Sequence, residues 1–226
     1  ELPRCSFDQC VQYIVQQLDM ASDSLRTQEM VNSANYGRIT KGAAMALKAK
    51  VLLYAASPLF NGQNIDNGNP LTGYPSYDLQ RWKLAADAAK AVMNLGTYKL
   101  MADFESVFTT QEAPIGSNTE NIFWRQNGQN TGVEKSNAPV GYTSAGGNGR
   151  TSPTQNLVDA FPMNNGLAIT DPASGYNEND PYQNRDPRLR STIFFNGGLW
   201  LNRYIECFDG GVDRPGGSVQ QTKTGY

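Results

Sequence analysis

Residues 37–61 read GRITKGAAMALKAKVLLYAASPLFN, and this stretch decides the fold. Thr40 is a suitable N-cap for a helix, and Pro58 ends that helix near Ala56 because proline cannot continue it. The helix has two apolar faces, one of them made mostly of small residues. The first face is Gly42, Ala46, Ala49, Leu53 and Ala56, and the opposite one is Ala43, Leu47, Val51 and Tyr54. A helix of this kind lies between two neighbours, as in a stacked array of helical pairs.

A capping box precedes another predicted helix. Ser6 and Gln9 have the S-x-x-Q spacing, in which each side chain accepts a hydrogen bond from the backbone N–H of the other residue. Apolar residues then recur at helical spacing to about Leu25. A third helix is predicted from near Asp78 to a C-terminal glycine, Gly96. The three helices make a mainly α region.

The character of the sequence changes near residue 98. Residues 1–97 are predicted to be helical, and residues 98–226 are predicted to form a loop-rich α+β region with short strands and helices. The expected elements are a strand over 120–126, a helix capped by Ser152, a helical turn capped by Asp186, and strands over 191–195 and 199–205 around the hairpin dipeptide Asn196-Gly197.

Composition excludes several classes of function. The 226 residues include 19 Lys+Arg and 21 Asp+Glu, so the chain lacks the basic excess of a nucleic-acid-binding protein. It contains no histidine, which excludes histidine-based nucleophilic catalysis and histidine-ligated metals. No Walker loop or dinucleotide fingerprint predicts a cofactor. Its 11 Tyr, 3 Trp and many amides suit uncharged, polyhydroxylated ligands, and equally suit a loop-rich surface.

Six segments, in order along nearly the whole chain, resemble the SusD/RagB family of outer-membrane nutrient-binding lipoproteins. The run 37–61 is the strongest match, because it looks like the signature helix of that family. The other segments are Arg81-Trp82 with Ala85-Ala86, Asn121-Ile122-Phe123, Pro153-Thr154-Gln155 with residues 157–161, Tyr182 with residues 185–188, and Asn196-Gly197 with Trp200.

The resemblance implies a SusD-like fold, in which a loop-rich region packs on tetratricopeptide-like helical pairs. It also implies a nutrient-uptake protein on the outer surface of the outer membrane that binds an oligo- or polysaccharide and delivers it to a SusC-like TonB-dependent transporter. Such a protein is not an enzyme. Its contact with the membrane is expected only through a lipid anchor outside this chain, since no apolar segment precedes Cys5.

The candidate sugar site lies where the strand over 120–126 enters a long loop. A pyranose ring has C–H groups on its faces and hydroxyls at its edge, so it needs an aromatic platform with amides and arginine around it. The candidate ligand-binding residues are Trp124, Arg125, Gln126, Asn127, Asn130, Tyr142 and Tyr74. The alternative for Trp124 is a place in the core or at its rim, and the alternative for the two tyrosines is plain loop packing.

Two other functions stay open. A helical-repeat scaffold would bind only a protein partner, and a glycoside hydrolase would use a pair of carboxylates. The carboxylate pairs closest in sequence are Asp103 with Glu105 and Glu178 with Asp180. Oxygen ligands for calcium occur over 64–69 and 177–180, but neither segment completes an EF-hand loop, and both are interpreted as solvated turns. No metal site is therefore predicted.

Several further residues have structural interpretations. Trp82 and Trp200 are expected in the core, and Arg185 is expected to pair locally. Cys5 and Cys10 occupy the two positions that meet in a hydrophobic staple, so they are either bridged or act as small apolar residues. Because the family pattern extends beyond both ends of the chain, we expect apolar helix surface to be left exposed.

Overall fold

The structure, a computed structural model, describes residues 3–62, 66, 68–110, 117–124, 128–142 and 146–214. The described part is mainly helical, as predicted, and its strands form a two-stranded antiparallel sheet. The chain divides into two units, residues 1–126 and residues 127–226, and each is described by itself. The division expected between residues 97 and 98 stays a prediction. Within the described residues, no helix combines the length and the apolar character needed to cross a membrane.

Helix α1 spans Phe7–Ser24 and begins at the predicted capping box. The Ser6 hydroxyl accepts from the N–H of Gln9 at 3.2 Å, and the Gln9 side-chain oxygen accepts from the N–H of Ser6 at 2.9 Å. These bonds satisfy two backbone donors that a helix start leaves unpaired. Two short 3₁₀ turns follow, Gln28–Met30 and Ser33–Asn35.

Helix α2 spans Lys41–Ala56, with the predicted cap at Thr40, and it packs against both of its helical neighbours. The small residues predicted on this helix allow the close approach. A Cβ atom added at Gly42 would lie 2.0 Å from the hydroxyl of Tyr98, so a larger residue there would displace the Tyr98 ring. The predicted position of α2 between two helices is confirmed.

Asn61 links the end of α2 to the start of the next helix. Its side chain is buried, and its amide donates to the carbonyls of Ala56 at 3.2 Å and Asp78 at 3.0 Å. Its side-chain oxygen accepts from the N–H of Asp78 at 2.9 Å and from the guanidinium of Arg81. Asn61 therefore fixes the two ends of the long connection between the helices.

Helix α3 spans Gln80–Met93, and its stripe buries Ala85 and Val92. The expectation that Trp82 lies in the core is wrong, because this side chain is 37% exposed. Helix α4 is one turn, Ser106–Thr109. The strand predicted over 120–126 is also wrong in its described part, since residues 120–124 are irregular.

Apolar side chains remain exposed on the helices of the first unit, as the sequence predicts. Leu47, Leu53 and Tyr54 on α2 are each 49–58% exposed. Tyr13 and Met20 on α1 are also exposed. The buried cluster beneath the helices contains Val11, Ala55 and Tyr74 with Phe7, Val15 and Val51.

Short helices organise the second unit. Helix α5 spans Gly132–Asn137, α6 spans Gln155–Ala160 and α7 spans Pro187–Thr192. The cap predicted for α6 at Ser152 is displaced to Thr154, whose hydroxyl accepts from the N–H of Leu157 at 3.3 Å. The predicted cap of α7 at Asp186 is confirmed. The core of this unit contains Val158, Leu189, Ile193 and Phe195, with Phe161 and Tyr182 packed against it.

The hairpin of the second unit differs from its prediction. Strand β1, Leu199–Trp200, pairs antiparallel with β2, Arg203–Tyr204. The strand expected over 191–195 is wrong, because α7 takes its first two residues and the others join no sheet in the described structure. The dipeptide Asn196-Gly197 does form a turn, with Gly197 at φ 80° and its N–H bonded to the carbonyl of Ile205 at 2.8 Å.

Candidate functional site

Trp124 is half-buried at the edge of the first unit. Its ring packs on Tyr36, with ring centroids 5.3 Å apart and planes tilted by 57°. The indole N–H is shielded from solvent and has no acceptor within the described part of the chain. The next three candidates, Arg125, Gln126 and Asn127, lie outside the described residues. Trp124 is thus partly at the surface, with an unused hydrogen-bond donor.

A polar cleft of about 380 Å³ borders a small depression that Trp124 lines. Its described lining includes Gln28, Glu29, Thr97, Tyr98, Asn118, Thr119 and Asn121. The cleft shares Gln28 and Val31 with the small depression that Trp124 and Tyr36 line. Its volume lies in the range of small-molecule sites, and its amides and hydroxyls can both donate and accept hydrogen bonds.

Internal hydrogen bonds hold the cleft in shape. Asn118 is buried, and its amide donates to the carbonyl of Val107 at 2.8 Å while its side-chain oxygen accepts from the N–H groups of Glu120 and Asn121. Thr97 donates its hydroxyl to the carboxylate of Glu29, and this hydrogen bond lowers the pKa of Glu29. Asn118, Thr97 and Glu29 therefore form a fixed part of the wall of the cleft.

Tyr74 lies in the core of the first unit, not at its surface. The side chain is 8% exposed, the Phe7 ring meets it edge-on at 5.3 Å, and the guanidinium of Arg81 lies 3.6 Å from its ring centre. Burial raises the pKa of Tyr74. With these neighbours on its ring, Tyr74 supports the loop that carries it.

Tyr142 and Asn130 belong to the second unit and contact different residues. Tyr142 is 5% exposed, and its hydroxyl lies 3.0 Å from the carbonyl of Trp200 and 3.2 Å from that of Arg203. Burial raises its pKa. Asn130 is exposed and closes its own turn, donating to the carbonyl of Gly128 and accepting from the N–H of Gly132. Trp124 and Tyr74 likewise have separate partners within the first unit.

The family of the chain follows from comparison with known proteins. The SusD family model matches residues 104–226, more than half of the chain. The chain belongs to the SusD family. This confirms the resemblance found in the sequence, which rested on six separate segments. No curated protein matches this SusD-family chain.

Two solved structures from Bacteroides fragilis share the SusD-like fold of the chain. One is a SusD-like carbohydrate-binding protein, 21% identical, with a TM-score of 0.66 over 92% of this chain and 36% of its own. The other is a SusD-like protein, 25% identical, with a TM-score of 0.64 over 95% of this chain and 42% of its own. The SusD-family chain therefore spans well under half the length of these structures.

Asp103 and Asp180, two of the acidic residues considered for catalysis or calcium binding, form hydrogen bonds with near neighbours in the sequence of this SusD-family chain. Asp103 accepts from both the N–H and the hydroxyl of Ser106, and these bonds, the hydroxyl first, lower the pKa of Asp103. Asp180 donates its N–H to the carbonyl of Asn177 within a turn. Within the described residues, no group of three acidic or cysteine side chains could hold a metal.

The cysteines of the SusD-family chain are free. Cys5 and Cys10 are exposed and are not bridged to each other. Cys207 is half-buried, and burial raises the pKa of its thiol. Of the two predicted alternatives, a disulfide or two reduced cysteines, the structure has two reduced cysteines at the start of α1.

Sequence reasoning missed the polar cleft of the SusD-family chain. Gln28 lies in a short 3₁₀ turn, whereas Asn118 and Asn121 lie in an irregular segment about ninety residues later. No spacing rule joins two such segments, because they meet only through the packing of the helices between them. The available signal was the amide-rich composition, which suggests a polar site without giving its position.

Proposed function

We propose that the chain is the glycan-binding part of a nutrient-uptake protein on the bacterial cell surface, and that it is not an enzyme. Membership of the SusD family carries this proposal. One structural relative is named a SusD-like carbohydrate-binding protein, which supports a sugar as the ligand. For the whole protein, we propose a lipid anchor in the outer membrane and delivery of the glycan to a SusC-like TonB-dependent transporter.

The sugar is proposed to bind beside Trp124. The half-buried indole offers a flat face for the C–H groups of a pyranose, and the polar cleft offers amides and hydroxyls for its hydroxyl groups. Arg125, Gln126 and Asn127 follow Trp124 directly and stay in the proposed site. Tyr74 and Tyr142 are proposed to hold the loops that carry them. Asn130, on an exposed turn of the second unit, is proposed as a separate ligand contact.

Titration calorimetry against a panel of neutral oligosaccharides tests this function. Binding through stacking and neutral hydrogen bonds should change little when salt is raised to about 0.5 M, because salt screens mainly charge–charge attraction. A steep loss of affinity with salt at this site would mean an anionic ligand. Analysis of the same mixtures for shortened products tests the proposal that the chain is not a hydrolase, and any turnover would contradict it.

The exposed apolar side chains of α1 and α2 favour a second candidate function, a scaffold for a protein partner. Tyr13 and Tyr54 are 63% and 58% exposed, and exposed apolar patches mark interaction surfaces. A folded chain that binds no glycan, but that captures the purified transporter, would establish this function. Capture together with glycan binding would instead support delivery to the transporter.

A further inference from the structure

The second unit contains a groove beside the β1–β2 hairpin that the proposed function does not use. We call it the aromatic groove. Its volume is about 360 Å³, which lies in the range of small-molecule sites. Its floor is apolar and consists of three buried side chains, Ile193, Phe195 and Ile205. Its rim consists of three aromatic side chains that are partly exposed, Phe194, Trp200 and Tyr204.

Packing within the second unit fixes both the floor and the rim of the aromatic groove. Phe195 stacks on Tyr182, with ring centroids 4.2 Å apart. Trp200 packs on Phe194 with centroids 4.8 Å apart, and on Tyr142 with centroids 4.6 Å apart. A ligand therefore meets rings that are already in position, which reduces the entropy lost on binding.

Trp200 lines the aromatic groove, so the expectation that it is a core residue is wrong. Its side chain is half-buried, whereas Tyr142, which packs against it, is 5% exposed. The two residues are 58 positions apart in sequence. Long-range packing therefore decides which of the two rings lines the groove.

Arg190 gives the aromatic groove a positive charge, and it is the only charged residue among the described lining residues. Its side chain is exposed and forms no ion pair within the described part of the chain. Asp186, the acidic residue nearest to it in sequence, pairs with Arg188 instead. A guanidinium presents a planar fork of N–H donors that matches a carboxylate.

The floor, the rim and Arg190 together favour a ligand that has an aromatic ring and a carboxylate. Burial of the ring against the apolar floor removes apolar surface from water, which favours binding. Aromatic pairs attract each other beyond the effect of area burial, so three rim rings favour an aromatic ring over an aliphatic chain. A neutral ligand would make no use of the charge of Arg190.

A second depression of about 480 Å³ meets the aromatic groove at Phe194. Most of its polar side chains are already bonded within the chain. The amide of Asn137 donates to the carbonyl of Val133, and the hydroxyl of Thr192 donates to that of Arg188, each at 2.8 Å. Two further hydroxyl residues also have partners, Ser152 and Thr154. An apolar substituent can therefore extend into this depression without depriving these groups of hydrogen bonds.

We infer that the aromatic groove binds a small aromatic carboxylate, such as an arylalkanoate. The ring of the ligand lies on the apolar floor between the rim rings, and its carboxylate accepts hydrogen bonds from Arg190. Apolar substituents on the ring extend into the second depression. This site lies in the second unit and does not depend on the sugar site proposed at Trp124.

NMR titration of the full 226-residue chain with 3-phenylpropanoate tests the inference. The chain has three tryptophans, so each indole N–H gives a signal of its own, and Trp200→Phe identifies the one from Trp200. The Trp200 signal should shift during the titration, whereas those of Trp82 and Trp124 should stay in place. The affinity should fall between about 0.05 M and 0.5 M salt, because an exposed ion pair is screened.

Two analogues of the probe separate the contributions of charge and ring. The neutral amide, 3-phenylpropanamide, has the same ring but no charge, and it should bind roughly tenfold or more weakly because a charged hydrogen bond is lost. Hexanoate has the charge but no ring, and it should also bind more weakly than 3-phenylpropanoate. Equal affinity for either analogue would overturn the inference.

Arg190→Gln should weaken binding of 3-phenylpropanoate by roughly tenfold or more. Arg150→Gln is the matched control, because it removes the same charge from an exposed side chain of the same unit that does not line the groove, and it should leave the affinity unchanged. Arg190→Lys, which keeps the charge but loses the fork, should give an intermediate affinity.

Two further results would overturn the inference. One is that 3-phenylpropanoate at millimolar concentration leaves the Trp200 signal in place, and the other is that Arg190→Gln binds the probe as well as the unchanged chain does. Neutral-glycan binding should survive in Arg190→Gln, so failure of this inference and failure of the proposed function are distinguishable.

Discussion

The two units of the chain are stabilised by different kinds of contact. In the first, small residues such as Ala44, Ala55 and Ala56 are buried where α2 meets its neighbours, and stability is spread over many weak contacts. In the second, the buried guanidinium of Arg185 holds several backbone groups at once, a task that the neutral amides of Asn61 and Asn118 perform in the first. Arg185 donates to the carbonyls of Pro181, Val158 and Phe161, each at 2.7 Å.

Buried polar side chains of this kind concentrate stability in few residues. Removing a buried donor leaves its acceptors unpaired and desolvated, which costs more than the hydrogen bond itself contributes. Removing one methyl group from a packed helix face costs less, because its neighbours relax in part. Substitutions at these buried polar positions should therefore lower the free energy of unfolding more than substitutions of small apolar residues.

The largest effect is expected at Arg185, which is 7% exposed. Arg185→Met keeps much of the volume but leaves the carbonyls of Pro181 and Phe161 without this donor, while that of Val158 keeps the N–H of Phe161. The free energy of unfolding should therefore fall by about 2 kcal/mol or more. Chemical denaturation followed by fluorescence measures this. Arg188→Met is the control, because Arg188 is exposed and bonds only its near neighbour Asp186, and it should change stability little. Equal losses in both variants would contradict the comparison.

Asn61 is the corresponding buried polar side chain of the first unit. Asn61→Ala removes two donors and an acceptor from a fully buried site, so we expect a loss of about 2 kcal/mol in the free energy of unfolding. Asn69→Ala changes an amide that lies in an exposed turn and should have a much smaller effect. If Asn61→Ala is as mild as Asn69→Ala, the link between α2 and α3 depends on helix packing alone.

Asp213 gives the second unit a pH dependence. Burial raises the pKa of Asp213, but hydrogen bonds from Arg203 and from the N–H groups of Glu206 and Gly141 outweigh burial and hold it below its usual value. A carboxyl with a lowered pKa contributes stability above its unfolded-state pKa of about 3.9, and this stability is lost as the pH falls through the folded value.

Asp213→Asn should therefore lower the melting temperature at neutral pH, where the carboxylate contributes about 1 kcal/mol or more. The difference from the unchanged chain should shrink as the pH falls below about 4. Melting curves recorded at several pH values measure both effects. A difference that stays constant across the whole range would show that Asp213 acts through packing and not through its charge.

Local signals predicted helices α1 and α2 of the first unit well, and the reason is physical. The capping box at Ser6 and the cap and stop at Thr40 and Pro58 each act within one helical turn, so they can be recognised without the rest of the fold. The strand predicted over 191–195 failed because the start signal at Asp186 and Pro187 begins a helix that continues to Thr192. The N-cap at Asp186 therefore outweighed the preference of the β-branched residues for a strand.

The candidate site was predictable only in part. Trp124 is a candidate because of its position before a loop, and this stays a prediction, whereas the amides of the polar cleft come from segments far apart in sequence. Tyr142 was predicted to contact the ligand and Trp200 to lie in the core, but Tyr142 is buried and Trp200 is half-buried. The cause is the same, because the sequence does not distinguish a buried aromatic residue in a loop from a partly exposed one in a hairpin. A sequence shows which aromatic residues a chain has, whereas packing decides which ring faces solvent.

Titration of a binding oligosaccharide into Trp124→Ala and Trp82→Ala tests the central claim most directly. Both tryptophans belong to the first unit and both are partly exposed, but only Trp124 lines the depression that borders the polar cleft. We predict that Trp124→Ala weakens binding of a neutral glycan by roughly tenfold or more, the usual worth of an aromatic platform, while Trp82→Ala binds normally. Both variants should retain cooperative melting. Unchanged affinity in a folded Trp124→Ala chain, or equal loss in the two variants, would contradict the claim.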